Sequence, residues 1–75
     1  MRKNITVTYE LNIINKEGEE MVEVFSHVFD SELYNEDVEG IDVMMVNFKV
    51  QDLQKRYGQV FLMEFSIERD STVLN

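Results

Sequence analysis

Asn4-Ile5-Thr6-Val7-Thr8-Tyr9-Glu10-Leu11-Asn12-Ile13-Ile14, followed by Asn15-Lys16-Glu17-Gly18, decides how this 75-residue chain begins to fold. Ile5, Val7, Tyr9, Leu11 and Ile13 fall on every second position, with Thr6, Thr8, Glu10 and Asn12 between them. Side chains of a strand alternate between its two faces, so this pattern predicts a strand with one dry face and one wet face. Asn15 opens a type I turn well, and Gly18 supplies the left-handed residue that closes it. A hairpin is therefore expected, with strands over 3–14 and 19–29.

The second run is less regular. Val22, Val24 and Val28 share one parity with Ser26, whereas Met21, Phe25 and Phe29 share the other with Glu23 and His27. Three valines and two phenylalanines suit a pleated surface, so a strand is favoured over a helix. Residues 31–38 read as a short helix capped by Asp30 or Ser31, with Leu33, Tyr34 and Val38 inward and Gly40 as its stop. Ile41 to Phe48 is almost continuously apolar and reads as a third strand, 41–48, buried on both faces. Val50, Leu53 and Tyr57 have helical spacing before Gly58, with Lys55 and Arg56 suited to the end of a helix dipole, so a helix over 50–57 is expected. A fourth strand is expected over 59–68, with Phe61, Met63, Phe65 and Ile67 on one face, and the last seven residues are read as frayed. The sum is a single small α+β domain over 1–75, an antiparallel sheet of about four strands with one or two short helices.

Composition narrows the function classes. Fifteen Asp and Glu stand against seven Lys and Arg, a formal net charge of −8, and Cys, Pro, Trp and Ala are absent. Without Cys there is no disulfide, no Cys-ligated zinc and no cysteine nucleophile. Strong negative charge argues against direct binding to nucleic acid or to an anionic membrane. Apolar residues make up 44 % of the chain, too many for a disordered acidic tail. Arg2-Lys3 precedes an alternating stretch, not the apolar core of a secretory signal, so a cytoplasmic protein is expected and the sequon at Asn4-Ile5-Thr6 is read as coincidence.

The catalytic inventory is thin. His27 is the single histidine, and adjacent Ser26 points to the opposite face of a strand, so the two cannot form a nucleophile–base couple. A partner for His27 is expected in Glu23. Asn35-Glu36-Asp37-Val38-Glu39-Gly40 resembles the opening of a calcium loop, but the twelfth position is Asn47 and the eighth is Asp42, where a bidentate Glu and an apolar residue belong. The three glycines read as turn punctuation, not a phosphate cradle. Neither a cofactor nor a metal site nor an enzyme is expected.

The charge is unevenly placed. Residues 10–48 hold eleven acids and one base, Lys16, whereas acids and bases balance from residue 49 onward. A plain solubility surface intersperses both signs. Glu17, Glu19, Glu20, Glu23, Glu32, Glu36, Asp37, Glu39 and Asp42 are therefore the candidate partner-binding residues, carboxylates standing where the phosphates of a nucleic acid would stand. Glu17, Glu19 and Glu23 come near the two-residue repeat of one strand face, about 6.6–7 Å. In general character, small, acidic and without catalytic residues, the chain is similar to phage-encoded inhibitors of restriction or CRISPR nucleases, although it carries no motif of theirs. That resemblance implies a basic nucleic-acid-binding protein as partner and, for a phage product, the host cytoplasm. The alternative is a structural or assembly protein, a homodimer or larger oligomer through the apolar sheet surface of Met44, Met45, Phe61, Met63 and Phe65.

Overall fold

The computed structural model describes the backbone of residues 2–74 and the side chains of residues 3–70. Strand β1 (Arg2–Asn15) is followed by β2 (Glu20–Asp30), helices α1 (Ser31–Glu36) and α2 (Val38–Tyr57), and β3 (Val60–Leu74). The sheet order is β2-β1-β3, with both neighbours antiparallel to β1. β2 and β3 therefore run parallel on opposite edges, and α1 and α2 carry the chain from one edge to the other. The molecule is a rod of 49 × 18 × 17 Å, as long as a 14-residue strand at about 3.4 Å per residue.

The hairpin forms as its turn chemistry predicts. Asn15 Oδ1 accepts from the amides of Glu17 (3.0 Å) and Glu19 (2.8 Å), and Gly18 adopts φ 85°. Asp30 caps α1, its carboxylate accepting from the amides of Glu32 (3.0 Å) and Leu33 (3.2 Å). Asp37 then ends α1 and caps α2, accepting from the Gly40 amide at 3.1 Å. Gly40 thus lies inside the first turn of α2 and ends no helix. Its missing side chain leaves room for that carboxylate, which a Cβ would strike.

Besides Gly40, and Leu33, which is exposed on α1 and not inward, three further expectations are corrected. The strand at 41–48 and the helix at 50–57 are one 20-residue helix, so the described residues form three strands, not four. The helical period was hidden because α2 is apolar on two sides. Ile41, Met45, Val46, Val50 and Leu53 pack toward the sheet, while Val43, Met44 and Phe48 remain exposed. Second, a bulge opposite Asn12 and Ile13 shifts the register of β3. Val60 and Leu62 before it, and Phe65 and Ile67 after it, pair with the odd-numbered residues of β1. Phe61 pairs with Ile14 and turns to the other face, so Phe61, Met63, Phe65 and Ile67 form no single stripe. Third, β3 continues to Leu74 by pairing with the start of β1, instead of fraying.

The core lies between the sheet and the helices. Ile5, Val7, Tyr9, Leu11 and Ile13 of β1 are all buried, against Tyr34, Val46, Leu53 and Val60. Full burial of such side chains contributes about 1.5–3 kcal/mol each. α2, about 30 Å long at 1.5 Å per residue, covers one face only. The opposite face of the sheet stays open.

Candidate partner-binding surface

The register gathers the even-numbered residues of β1 on the open face. Asn12 lies beside Glu64, Glu10 beside Ser66, Thr8 beside Glu68 and Thr6 beside Asp70. Glu64, Glu10, Glu68 and Asp70 thus occupy four successive two-residue levels along the β1–β3 pair, a row of about 20 Å. All four are exposed. Asn12 Nδ2 donates to Glu64 Oε1 at 3.0 Å, and the Ser66 hydroxyl lies 3.4 Å from Glu10 Oε2, so two of the carboxylates are held by neighbours. Thr8 and Ser26 exchange a hydroxyl hydrogen bond of 2.8 Å beside the row. Along the β2 side the same face exposes Val22, Val24 and Val28.

The bases among the described side chains are elsewhere. Lys49 and Arg56, on α2, face β2: Lys49 Nζ lies 3.2 Å and Arg56 Nη2 4.0 Å from Glu23 Oε1, and Arg56 also pairs along the helix with Asp52 Oδ2 at 2.6 Å. Arg69 is on the helix-covered side of β3, where its Nη2 donates to Asp42 Oδ2 at 2.7 Å. Among the described side chains, none of the Lys or Arg residues lies on the open face. Of the acids that balance these bases along residues 49–75, Asp52 stays beside them on α2, whereas Glu64, Glu68 and Asp70 lie across the sheet.

The acids expected to form one patch are divided. Glu17 and Glu19 sit in the hairpin turn and Glu20 starts β2, whereas Glu32, Glu36, Asp37 and Glu39 cluster at the α1–α2 corner. The rest of the 11-residue strand β2, after Glu20, lies between the two groups, about 33 Å of extended chain. Glu17, Glu19 and Glu23 form no line, because the first two are in the turn and Glu23 faces α2. Asp42 is 5 % exposed and turned inward, out of reach of a partner. Sequence reasoning passed over Glu10, Glu64, Glu68 and Asp70 as contacts. The alternation Glu64-Ser66-Glu68-Asp70 was the available signal, and the register of Glu10 against Ser66 was not readable from it.

Asp42 instead centres a buried network that joins four elements. Tyr9 and Tyr34 donate their hydroxyls to Asp42 Oδ1, each at 2.7 Å. Arg69 Nε donates to the Tyr34 hydroxyl at 2.8 Å. Burial opposes the charge on Asp42, but hydrogen bonds from Tyr34, Tyr9 and Arg69 outweigh it and hold the carboxyl below the usual carboxylate range. Burial, and then the neighbouring Asp42, pushes the Tyr9 hydroxyl far above the usual phenol range. No buried side-chain polar atom among the described residues is left without a partner, so the network reads as a structural lock.

His27 is exposed and tilts against Phe29 at 4.5 Å between ring centres, while Glu23, its expected partner, pairs with Lys49. Ser26 lies on the opposite face with Thr8. Among the described residues no group of three or more His, Cys, Asp or Glu is placed to hold a metal ion. No described helix is long and apolar enough to cross a membrane. No protein family model matches the chain, and no curated protein or solved structure matches it.

Proposed function

We propose that this is a non-enzymatic binding protein that occupies a basic, nucleic-acid-binding surface of a partner protein, in the manner of a phage-type anti-restriction or anti-CRISPR inhibitor acting in the host cytoplasm. The observation that carries this reading is the row Glu64, Glu10, Glu68 and Asp70, mounted on paired strands and, among the described side chains, clear of bases. Carboxylates fixed at regular steps on a rigid sheet imitate the phosphates of one strand. Such a surface associates quickly with a basic groove and excludes its nucleic acid by competition. The exposed acids at the α1–α2 corner, Glu32, Glu36 and Glu39, extend the anionic surface at one end of the rod.

The test is capture from a bacterial lysate on the immobilised protein, with and without duplex DNA as competitor. DNA should displace the captured protein, and a Glu10→Lys, Glu64→Lys, Glu68→Lys triple variant should fail to capture it. Capture indifferent to both DNA and the reversal removes the proposal.

A second reading, a structural protein assembling through the apolar part of the open face, draws on the exposure of Val22, Val24, Val28 and Phe61. Stacking two copies of that face brings their acidic rows together, which opposes it.

A further inference from the structure

The outward face of α2 is unpartnered and carries its own pattern. Gly40, Met44, Asn47 and Gln51 follow one another at helical steps of four, three and four, flanked by Val43 and Phe48, and together they line a shallow groove. Val43 is 52 %, Met44 47 % and Phe48 62 % exposed. This stripe lies opposite the side that packs on the sheet, with the spacing of a helix–helix seam. A seam of this kind fits another helix, and the charges at its two ends select which one.

The N-terminal end of α2 is acidic, with Glu36, Asp37 and Glu39, whereas its C-terminal end carries Lys55. Lys55 is exposed and joins no ion pair among the described residues. A second α2 laid antiparallel places each acidic end over the other copy's Lys55 and opposes the two helix dipoles. A parallel copy sets acid against acid. We infer that the chain forms a two-fold homodimer through antiparallel packing of α2 on α2, with Asn47 and Phe48 near the axis. An isologous contact of this kind uses each half of the stripe twice. It also leaves the open sheet face of both copies pointing outward, so the dimer does not depend on the partner reading and is tested without any partner.

The absence of Cys from the natural chain makes the geometry directly readable. Asn47→Cys should give a covalent dimer on mild oxidation. Met44→Cys and Gln51→Cys, each alone, should give little, and their equal mixture should cross-link readily. Light scattering of the unmodified protein at high micromolar concentration should report a dimer. Phe48→Glu should produce a monomer with unchanged circular dichroism, and Lys55→Glu should weaken self-association by about tenfold at low salt. A monomeric unmodified protein overturns the inference. Ready cross-linking of Met44→Cys with itself and of Gln51→Cys with itself overturns the antiparallel arrangement. A dimer that survives Phe48→Glu and is broken by Val24→Glu assigns the interface to the sheet and overturns it as well.

Discussion

The Tyr9 hydroxyl on β1 donates to Asp42 Oδ1 on α2 at 2.7 Å, across 33 positions of chain and inside the core. Tyr34 and Arg69 close the same network from α1 and β3. One carboxylate therefore ties the central strand to the helices and to the edge strand that follows them. It also explains how a helix with apolar residues on two sides takes a single orientation, since only one rotation of α2 brings Asp42 to the two tyrosines.

Asp42→Ala should be among the most damaging single changes in the chain. It strands the Tyr9 and Tyr34 hydroxyls and leaves Arg69 without its carboxylate, and removing one partner of a buried pair costs about 3–5 kcal/mol. A domain of this size has a total stability of about 4–11 kcal/mol. Urea denaturation should show the loss, with a smaller one for Tyr34→Phe. The Arg69 side chain is 42 % exposed, so Arg69→Ala should cost less than Asp42→Ala.

The same residue sets an acid dependence. The folded carboxyl of Asp42 titrates below its unfolded value. Its contribution is thus fully present above about pH 3.9, the unfolded value, and is lost as pH falls through the lower folded one. The stability gap between the natural protein and Asp42→Asn should accordingly be constant at neutral pH and narrow in strong acid. At the alkaline end the sign is reversed. The Tyr9 hydroxyl is raised in the folded state, so its contribution is complete below about pH 10 and drains away above it. Tyr9→Phe, less stable at neutral pH, should show a flatter alkaline limb in thermal melts.

Gly58, at φ 78° and ψ −150°, stops α2 in a conformation that L side chains rarely adopt. Gly58→Ala should cost about 1–3 kcal/mol by that strain alone. Gly40→Ala fails differently, by driving a Cβ into the capping carboxylate of Asp37. It should cost about 0.5–2 kcal/mol, the value of the cap, and Asp37→Ala combined with it should add little. Thermal unfolding of the two singles and the double checks both.

Asp37 also limits how the acidic corner is tested. Reversing Glu36, Asp37 and Glu39 together removes the cap of α2 along with the charge. Glu36→Lys with Glu39→Lys leaves the cap intact and should weaken partner capture less than the Glu10, Glu64 and Glu68 reversal does. Binding through the row should fall steeply with added salt. Equal losses from the two sets, or a flat salt profile, would move the contact away from the open face.

The hairpin was legible residue by residue, because alternation from Ile5 to Ile13 and the turn chemistry of Asn15 and Gly18 are local properties. The cap of α1, narrowed to Asp30 or Ser31, and the stop at Gly58 were legible for the same reason. α2 was not, since its two apolar sides erase the contrast on which a helical period depends, and Ile41–Phe48 then looks like a buried strand. The faces of β3 were not legible either, because a single bulge inverts the parity of every residue beyond it. Charge shows the distinction most clearly. The excess of acids over bases belongs to the sequence. Which acids stand together depends on the pairing of Glu10 with the level of Ser66, and on a sheet that holds Lys49, Arg56 and Arg69 on its other side. Strand register is set by packing between distant segments, and no count along the chain contains it.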